Sequence, residues 1–195
     1  MKGSFIVLEG LDGAGTTTQA RALLAILPPH TLATNEPTAG PIGRVARQSL
    51  RGDPEAPPLP ALPWLYAADR ADHVHREVLP ALEAGRTVLS DRYVPSSLAY
   101  QSLTHDLQAV WELNHRFPVP DRVFFVDVSV ETALGRIQGR GEPAEIYDTE
   151  ERLRIVRAAY VEVMAFLAER GWPIVHIDGD QPIDAVTAAI VAGLP

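Results

Sequence analysis

The sequence predicts an α/β fold built on a five-stranded parallel sheet with helices on both faces. Five short apolar runs have the length of buried strands, at residues 5–8, 31–34, 87–90, 123–128 and 173–177. Each run is followed along the chain by a helical pattern, and this alternation is typical of parallel strands joined by right-handed crossovers. Ligands of such sheets bind at the carboxyl ends of the strands, so we expect the functional residues along that edge.

Size and composition predict one domain spanning residues 1–195. Of the 195 residues, 46% are hydrophobic, which is enough to form one core. No apolar run reaches the roughly 20 residues of a membrane-spanning helix, and we expect no signal peptide. The sequence contains no cysteine, which excludes disulfides and thiolate nucleophiles and fits a cytoplasmic protein. A net charge of −8 argues against nucleic acid as a partner and leaves small anionic molecules.

The first predicted strand leads into a glycine-rich loop at residues 10–17, GLDGAGTT. This loop follows the pattern Gly-x-x-x-x-Gly-Lys-[Ser/Thr] except that Thr16 stands at the lysine position, and a helical pattern follows at residues 17–27. Glycines at 10, 13 and 15 let the backbone fold around an anion, and the helix adds the positive end of its dipole. We therefore expect a phosphate group here; a chance match in a strand-to-helix turn is the alternative.

Thr16 removes the ammonium group that neutralises the β and γ phosphates in the usual motif. One such donor is typically worth about two to three powers of ten in rate. The hydroxyls of Thr16, Thr17 and Thr18 follow one another at the helix start, so one of them can still reach a magnesium ion. Because Lys2 is the only lysine, we expect any replacement cation to be an arginine.

Between the second and third strands, a helical pattern covers residues 62–79. Tyr66 and Arg70 lie four residues apart on one face, so a ring and a guanidinium can meet one flat ligand. His73 and His75 lie two apart and point to different faces, which predicts a satisfied or solvent-facing role rather than a metal pair. The prolines at residues 54–63 predict a stiff surface connection; a ligand for a proline-binding module is the alternative.

The third strand ends at Asp91, which Arg92 follows. In phosphate-loop proteins a carboxylate at the end of a buried strand holds magnesium or the water bound to it. Asp127 ends the fourth strand in the same way, so two candidates remain, and we interpret Asp127 as structural. Arg92 adds the phosphate-binding cation that phosphoryl transfer requires. A plain ion pair at the end of the strand is the alternative.

Two later segments carry polar side chains at helical spacing. Ser97, Tyr100 and Gln101 lie within one turn and predict a polar pocket, with a solvated helix face as the alternative. Arg136 and Arg140 lie four residues apart, and Gly139, Gly141 and Pro143 break the helical pattern there. This pattern predicts a short lid at about residues 136–147 that brings positive charge onto phosphates. A solvated arginine face fits the spacing nearly as well.

Five stretches of this sequence resemble thymidylate kinases in their order and spacing, and together they cover nearly the whole chain. They are LEGLDGAG at 8–15, NEP at 35–37, AADRADH at 67–73, DRY at 91–93 with SSLAYQ at 96–101, and IDGDQP at 177–182. The resemblance implies a P-loop kinase fold with a lid. It further implies transfer of the γ-phosphoryl group of ATP to dTMP in dTTP synthesis, with magnesium and usually as a homodimer.

The resemblance also implies an acceptor site for dTMP, formed by nine residues: Asp12, Glu36, Arg47, Tyr66, Arg70, Arg92, Ser97, Tyr100 and Gln101. Asp12 would meet the sugar 3′-hydroxyl, while Arg47 and Arg92 would hold the phosphate. Tyr66 would lie against thymine, and Arg70 would bond the edge of the base.

The resemblance also implies roles for the remaining acceptor residues. Ser97 and Gln101 would finish the base pocket, and Tyr100 would pack against the sugar where a 2′-hydroxyl would otherwise lie. Glu36 would lie near the acceptor phosphate or its magnesium waters.

For the donor, the resemblance implies an ATP site formed by the loop and two later segments: Gly10, Leu11, Asp12, Gly13, Ala14, Gly15, Thr16, Thr17, Thr18, Arg136, Asp180 and Gln181. Thr17 and Asp91 are the predicted magnesium residues. The predicted catalytic residues are Asp12, Arg92, Arg136 and Arg140.

The sequence departs from the family pattern at two places. Thr16 replaces the loop lysine, and the lid continues as AEIY at 144–147, where the family often has an Asp-Arg pair. Since the loop carries no arginine, we hypothesise that Arg140 on the lid supplies the missing charge. Two alternatives remain: a kinase for another small acceptor, and a nucleotide-binding protein without turnover because of Thr16.

Overall fold

A computed structural model of the chain describes residues 3–139 and 149–195. Five strands form one sheet: β1 (Phe5–Glu9), β2 (Leu32–Asn35), β3 (Val88–Asp91), β4 (Arg122–Asp127) and β5 (Ile174–Asp178). All neighbouring strands are parallel, and their order is β2-β3-β1-β4-β5. The predicted five-stranded parallel sheet is therefore confirmed, and each strand overlaps its predicted run.

Helices connect the strands in the two described ranges: α1 (Thr16–Leu24), α2 (Pro41–Leu50), α3 (Leu62–His73), α4 (Leu79–Glu83), α5 (Val94–Gln101), α6 (Leu107–Asn114), α7 (Val130–Gly139), α8 (Glu150–Ala168) and α9 (Ile183–Ala192). Helix α1 packs against α9, whereas α5 packs against α6 and α8. All five residues of β1 are buried, because helices cover the central strands on both faces. None of the helices in these ranges combines the length and the apolar character that crossing a bilayer requires.

The carboxyl ends of the strands bring polar side chains to one edge of the sheet. Each strand ends in a polar residue: Glu9, Asn35, Asp91, Asp127 and Asp178. Parallel pairing aligns these ends, since Leu8 lies opposite Asp91 and Glu9 lies opposite Phe125. The edge that we predicted for the functional residues is thus lined by carboxylates and an amide, whereas the interiors of β1 and β4 are apolar.

Two helices differ in their bounds from the sequence expectation. The helix predicted at 17–27 ends at Leu24, because the chain turns ahead of the proline pair at 28–29. The pattern at 62–79 is divided into α3, a π-helical turn at Val74–Val78 and α4, so the helical segment runs on to Glu83. A turn of this type shifts the face that the following residues present.

Helix α2 approaches the loop that precedes it very closely at Gly43. A Cβ atom at Gly43 would lie 2.1 Å from the Thr38 carbonyl oxygen. Thr38 has little freedom to move, since its N–H and its hydroxyl both donate to the Asp69 carboxylate, at 2.7 Å each. Gly135 in α7 is different: among the described residues, and apart from its chain neighbours and the backbone of its own helix, no heavy atom lies within 4 Å of its Cβ position.

We expect opposite effects on stability from the matched substitutions Gly43→Ala and Gly135→Ala. The first should lower the free energy of unfolding by about 1–3 kcal/mol through overpacking. The second should raise this free energy by about 0.5–1 kcal/mol, because alanine loses less backbone entropy than glycine when a helix forms. Urea denaturation measures both changes. Wild-type stability in Gly43→Ala would show that the contact relaxes at no cost.

Candidate active site

The glycine-rich loop presents the start of α1 to the carboxyl edge of the sheet. Gly13 and Gly15 have φ values of 84° and 95°, in the left-handed region that glycine adopts easily. A Cβ at Gly13 would also lie 2.4 Å from the Ala133 carbonyl oxygen. Among the described residues, no side chain caps α1 and no acidic residue lies in its first turn. Its first N–H groups are therefore available to an anion, as predicted for the phosphate loop.

Thr17 and Asp91, the two predicted magnesium residues, lie in contact. The Thr17 hydroxyl donates to Asp91 Oδ2 at 2.5 Å. The other carboxylate oxygen, Oδ1, is buried and has no hydrogen-bond partner among the described residues. A hydroxyl beside a carboxylate with one unused oxygen is a donor set that suits a magnesium ion. Asp127, in contrast, forms two 2.8 Å hydrogen bonds with Arg157, which supports its interpretation as structural.

Arg92 connects the loop to the helix that follows β3. Its Nη2 atom lies 2.6 Å from Asp12 Oδ1, and Tyr100 donates from its hydroxyl to Asp12 Oδ2 at 2.8 Å. Burial and the neighbouring Asp12 raise the pKa of Tyr100, so its hydroxyl keeps the proton that it donates. Arg92 has a φ of 73°, which is uncommon for a residue with a side chain. The ion pair of Arg92 is thus with Asp12 on the loop.

A cavity of about 640 Å³, which we call the deep cavity, lies beside this ion pair. It contains all nine predicted acceptor residues: Asp12, Glu36, Arg47, Tyr66, Arg70, Arg92, Ser97, Tyr100 and Gln101. Pro37, Leu50, Tyr93 and Ser96 complete its lining. The structure therefore brings together residues that are up to 89 positions apart in the sequence, although their individual roles stay predictions.

The Arg70 guanidinium forms a buried wall of the deep cavity. Its Nε atom donates to Glu36 at 2.8 Å, Nη2 donates to Ser97 Oγ at 2.9 Å, and Nη1 donates to Asn114. The other Glu36 oxygen lies 2.9 Å from Nδ1 of His73, which is also buried. Arg70 is thus fixed by three partners, and Glu36, predicted near phosphate or its magnesium waters, serves as the counter-ion of this wall.

The two histidines of this segment do not form a metal pair. His73 is satisfied by Glu36 and by the Thr34 hydroxyl, 2.7 Å from its Nε2 atom, whereas His75 is exposed. No group of three or more potential metal ligands of the His, Cys, Asp or Glu type occurs within residues 3–139 and 149–195. Each of these two histidines therefore has one of the two roles that we predicted, satisfied or solvent-facing.

Two buried polar atoms of the deep-cavity residues lack a partner within the described chain. They are Gln101 Oε1 and the Tyr93 hydroxyl. An unpaired buried polar atom is costly, so both atoms indicate a ligand or a water molecule in this cavity. Gln101 is among the predicted site residues, whereas Tyr93 has no predicted role of its own, because nothing in its spacing distinguishes it from a core aromatic residue.

A second cavity, of about 590 Å³, lies on the other side of the loop, and we call it the loop cavity. Arg136 lies between its walls, donating from Nη1 to the Ala14 carbonyl at 3.1 Å and from Nη2 to the Gly179 carbonyl at 3.0 Å. Thr18 and Gln181 also line this cavity. Asp180 points elsewhere: its carboxylate accepts from the Ser129 N–H at the start of α7.

A third space, the junction cleft, joins the loop to the deep cavity. It is lined by Thr17, Asn35, Glu36, Arg47, Asp91 and Arg92. Three of these residues, Glu36, Arg47 and Arg92, line the deep cavity as well. Two ligands, one on the phosphate loop and one in the deep cavity, would therefore meet beside Arg92, Asp91 and Thr17.

The family model for thymidylate kinase matches residues 8–190 of this chain. A thymidylate kinase of Synechococcus sp. (strain WH7803) is 40% identical, with 88% of this chain and 86% of that protein covered. A probable thymidylate kinase of Pyrobaculum aerophilum is 39% identical, with coverages of 96% and 94%. This chain belongs to the thymidylate kinase family.

The fold agrees with a solved thymidylate kinase family structure. The thymidylate kinase from Candida albicans superimposes with a TM-score of 0.81 at 24% identity, and the match covers 98% of this chain and 90% of that chain. At this identity the match supports the fold alone, and it confirms the α/β architecture.

Two features of this family member concern the loop and the lid. Thr16, at the lysine position, is buried at the start of α1 with 6% of its surface exposed. Arg140 and the rest of the predicted lid, residues 140–147, lie outside the described residues. The hypothesis that Arg140 supplies the missing charge therefore stays a prediction.

Glu9, the last residue of β1, is a buried carboxyl group to which the sequence analysis had assigned no role. Burial raises its pKa from 4.5 to about 7, although hydrogen bonds from Ser96 and the charge of Arg92 act in the opposite direction. The sequence around Glu9 does not indicate this raised pKa, because the partners of Glu9 come from segments far along the chain.

Glu9 should make the stability of the protein fall as the pH rises from 4.5 to about 7. In this interval the native state keeps a proton that the unfolded chain has already lost. Urea unfolding at several pH values measures this effect. Over the interval, the free energy of unfolding should fall by about 3 kcal/mol more in the wild type than in Glu9→Gln, which cannot titrate. Parallel pH dependence of the two proteins would contradict the raised pKa.

Proposed function

We propose that the chain transfers the γ-phosphoryl group of ATP to dTMP, giving dTDP and ADP, as one step of dTTP synthesis. The observation that carries this proposal is the junction cleft, through which the phosphate loop and the deep cavity meet at shared residues. Membership in the thymidylate kinase family supports the same reaction.

The deep cavity offers the chemistry that a thymine base needs. The side-chain amide of Gln101 has an oxygen with no partner among the described residues, and this oxygen can accept from the N3–H of thymine. Its NH₂ group can donate to an adjacent carbonyl of the base. The Arg70 guanidinium, predicted to bond the edge of the base, has donors only. It suits the O4 carbonyl of thymine and would meet the amino group of cytosine donor to donor, and sites with this property discriminate strongly. Tyr66 supplies a ring against the base, and Tyr100 would exclude a 2′-hydroxyl.

The charged residues at the junction cleft suit the sugar and the acceptor phosphate. Arg47 and Arg92 would hold the phosphate, because guanidinium groups match its oxygens in geometry and charge. Asp12, which already pairs with Arg92, would accept a hydrogen bond from the 3′-hydroxyl. An oxygen of the dTMP phosphate then attacks the γ-phosphorus while the bond to the β-γ bridging oxygen breaks, and ADP leaves with that oxygen.

We also propose that Thr17 and Asp91 hold a magnesium ion, for which the unpaired Asp91 Oδ1 is the supporting observation. When bound, the ion would neutralise charge on the β and γ phosphates. The chain's own contribution is to orient: the loop N–H groups bind the donor phosphates, and Arg92 aligns the acceptor.

We also propose three further features. A single domain over residues 1–195 is inferred from size and composition, a cytoplasmic location from the absence of cysteine, and a homodimer from the family resemblance. Arg136, with its contacts to carbonyl groups of the loop and of Gly179, would form part of the ATP site beside Gln181.

The proposed reaction predicts a clear acceptor preference. In a coupled ADP-release assay with ATP and magnesium, we expect dTMP to exceed dCMP in kcat/KM by more than about 100-fold, because the donor-only Arg70 guanidinium cannot bond the amino group of cytosine. Gln101→Leu should reduce the dTMP value by about 10-fold or more. Turnover with another acceptor at a higher kcat/KM would favour the first alternative. Tight ATP and dTMP binding with no ADP release would favour the protein without turnover.

The lid hypothesis predicts the effect of two charge changes. Arg140→Ala should lower kcat by about 100-fold or more, since it removes the cation that replaces the loop lysine. Thr16→Lys should change kcat by less than about 10-fold, because the charge is already supplied. The control is Arg116→Ala, which removes an exposed arginine that lines none of the three cavities. An unchanged kcat in Arg140→Ala, or a gain of orders of magnitude in Thr16→Lys, would contradict the hypothesis.

A further inference from the structure

The Glu9 carboxylate accepts four hydrogen bonds from two segments far from it in sequence. Its Oε1 atom accepts from the Tyr93 N–H at 2.7 Å and the Ser96 N–H at 3.3 Å. Its Oε2 atom accepts from the Ser96 hydroxyl at 2.6 Å and the Tyr160 hydroxyl at 3.2 Å. The side chain is fully buried, so these donors replace the water that an exposed carboxylate would bind.

Two of these bonds cap helix α5 from the neighbouring strand. Tyr93 is the N-cap residue of α5 and provides no side-chain cap of its own. The N–H groups of Tyr93 and Ser96 would otherwise be unsatisfied, as at any helix start, and the negative charge of Glu9 also complements the helix dipole. Glu9 thereby fixes the helix that carries three acceptor residues, Ser97, Tyr100 and Gln101.

The other two bonds lead to Arg92. Its Nη1 atom donates to the Tyr160 hydroxyl at 3.1 Å and to the Ser96 hydroxyl at 3.3 Å, and these two hydroxyls lie 2.7 Å apart. Each hydroxyl has one hydrogen. An ionised Glu9 accepts the hydrogen of each hydroxyl, so the lone pairs of both hydroxyl oxygens stay free to accept from the Arg92 guanidinium. A protonated Glu9 would instead be a further donor, which competes with the Arg92 guanidinium for those lone pairs.

Few titratable groups within the described chain face the Glu9 carboxyl group. Arg92, after β3, and Tyr160, on α8, are the titratable groups that face it among the described residues. On β4 its neighbour in register is Phe125, which stacks on Tyr160. Arg92 in turn faces Asp12, Asp91 and Tyr100. The raised pKa of about 7 means that Glu9 changes its charge in the pH range of ordinary assays.

We propose that Glu9 is a positioning residue for the acceptor phosphate: through Ser96 and Tyr160 it orients Arg92, and its ionised form is the one that favours binding of a nucleoside monophosphate. This inference rests on the proposed function, which makes dTMP the acceptor. A residue that only stabilised the fold would affect dTMP affinity equally at every pH.

The test is dTMP binding, measured by isothermal titration calorimetry between about pH 5.5 and pH 8.5. We expect the Kd of Glu9→Gln to exceed the wild-type Kd about 10-fold at the alkaline end and to approach it at the acid end, where wild-type Glu9 is protonated. Titration of the dTMP phosphate affects both proteins alike and leaves this ratio unchanged. The matched control is Glu162→Gln, an exposed position on α8 with Tyr160, which should behave as wild type throughout.

Two further measurements separate positioning from general damage. ADP affinity should change by less than about twofold in Glu9→Gln, because the partners of Glu9 lie on the acceptor side. Tyr160→Phe removes one hydroxyl between Glu9 and Arg92 but keeps the cap on α5, and it should weaken dTMP binding about threefold or more. This variant also tests the inference if Glu9→Gln does not fold.

Several results would overturn the inference. They are a constant Kd ratio over the pH range, an equal loss of ADP affinity, or wild-type dTMP affinity in Tyr160→Phe. A wild-type protein that binds dTMP but never phosphorylates it overturns the proposed function alone, and the Kd ratio still decides the role of Glu9. A wild-type protein that does not bind dTMP overturns both.

Discussion

The ion pair between Arg92 and Asp12 is the contact on which the geometry of this site depends. Asp12 belongs to the phosphate loop, and Arg92 stands between β3 and α5, so their 2.6 Å contact joins the two parts of the chain that would hold the two nucleotides. Phosphoryl transfer requires positioning and charge neutralisation rather than elaborate covalent chemistry. A guanidinium anchored at this point serves both requirements, because it can hold an anion while its own position is fixed.

The fold could be predicted from the sequence because local patterns determine it. The apolar runs of β1 and β4 are short and uninterrupted, which is typical of buried parallel strands. Part of the candidate site could be predicted for a related reason, whereas Glu36 and Arg47 were expected only from the family resemblance. Residues such as Tyr66 and Arg70 lie one helical turn apart, so spacing alone places them on a common face.

The remainder of the site depends on contacts between distant segments. Tyr160 is 151 positions from Glu9, and Asn114 is 44 positions from Arg70, yet both pairs are hydrogen-bonded. No local pattern indicates such pairs, since each partner alone is indistinguishable from a core or surface residue. The π-helical turn at Val74–Val78 was missed for the opposite reason, because a continuous helical periodicity conceals a local change in hydrogen bonding.

The buried cluster around Arg70 has a consequence for how this protein can change over generations. Arg70 depends on Glu36, Ser97 and Asn114 for its hydrogen bonds. Loss of one partner leaves an unpaired charged or polar group buried in the interior. An isolated replacement within this quartet is therefore selected against even where the substrate is never touched. Among divergent descendants, the four positions should either persist together or be exchanged as a set, which gives them a shared evolutionary history.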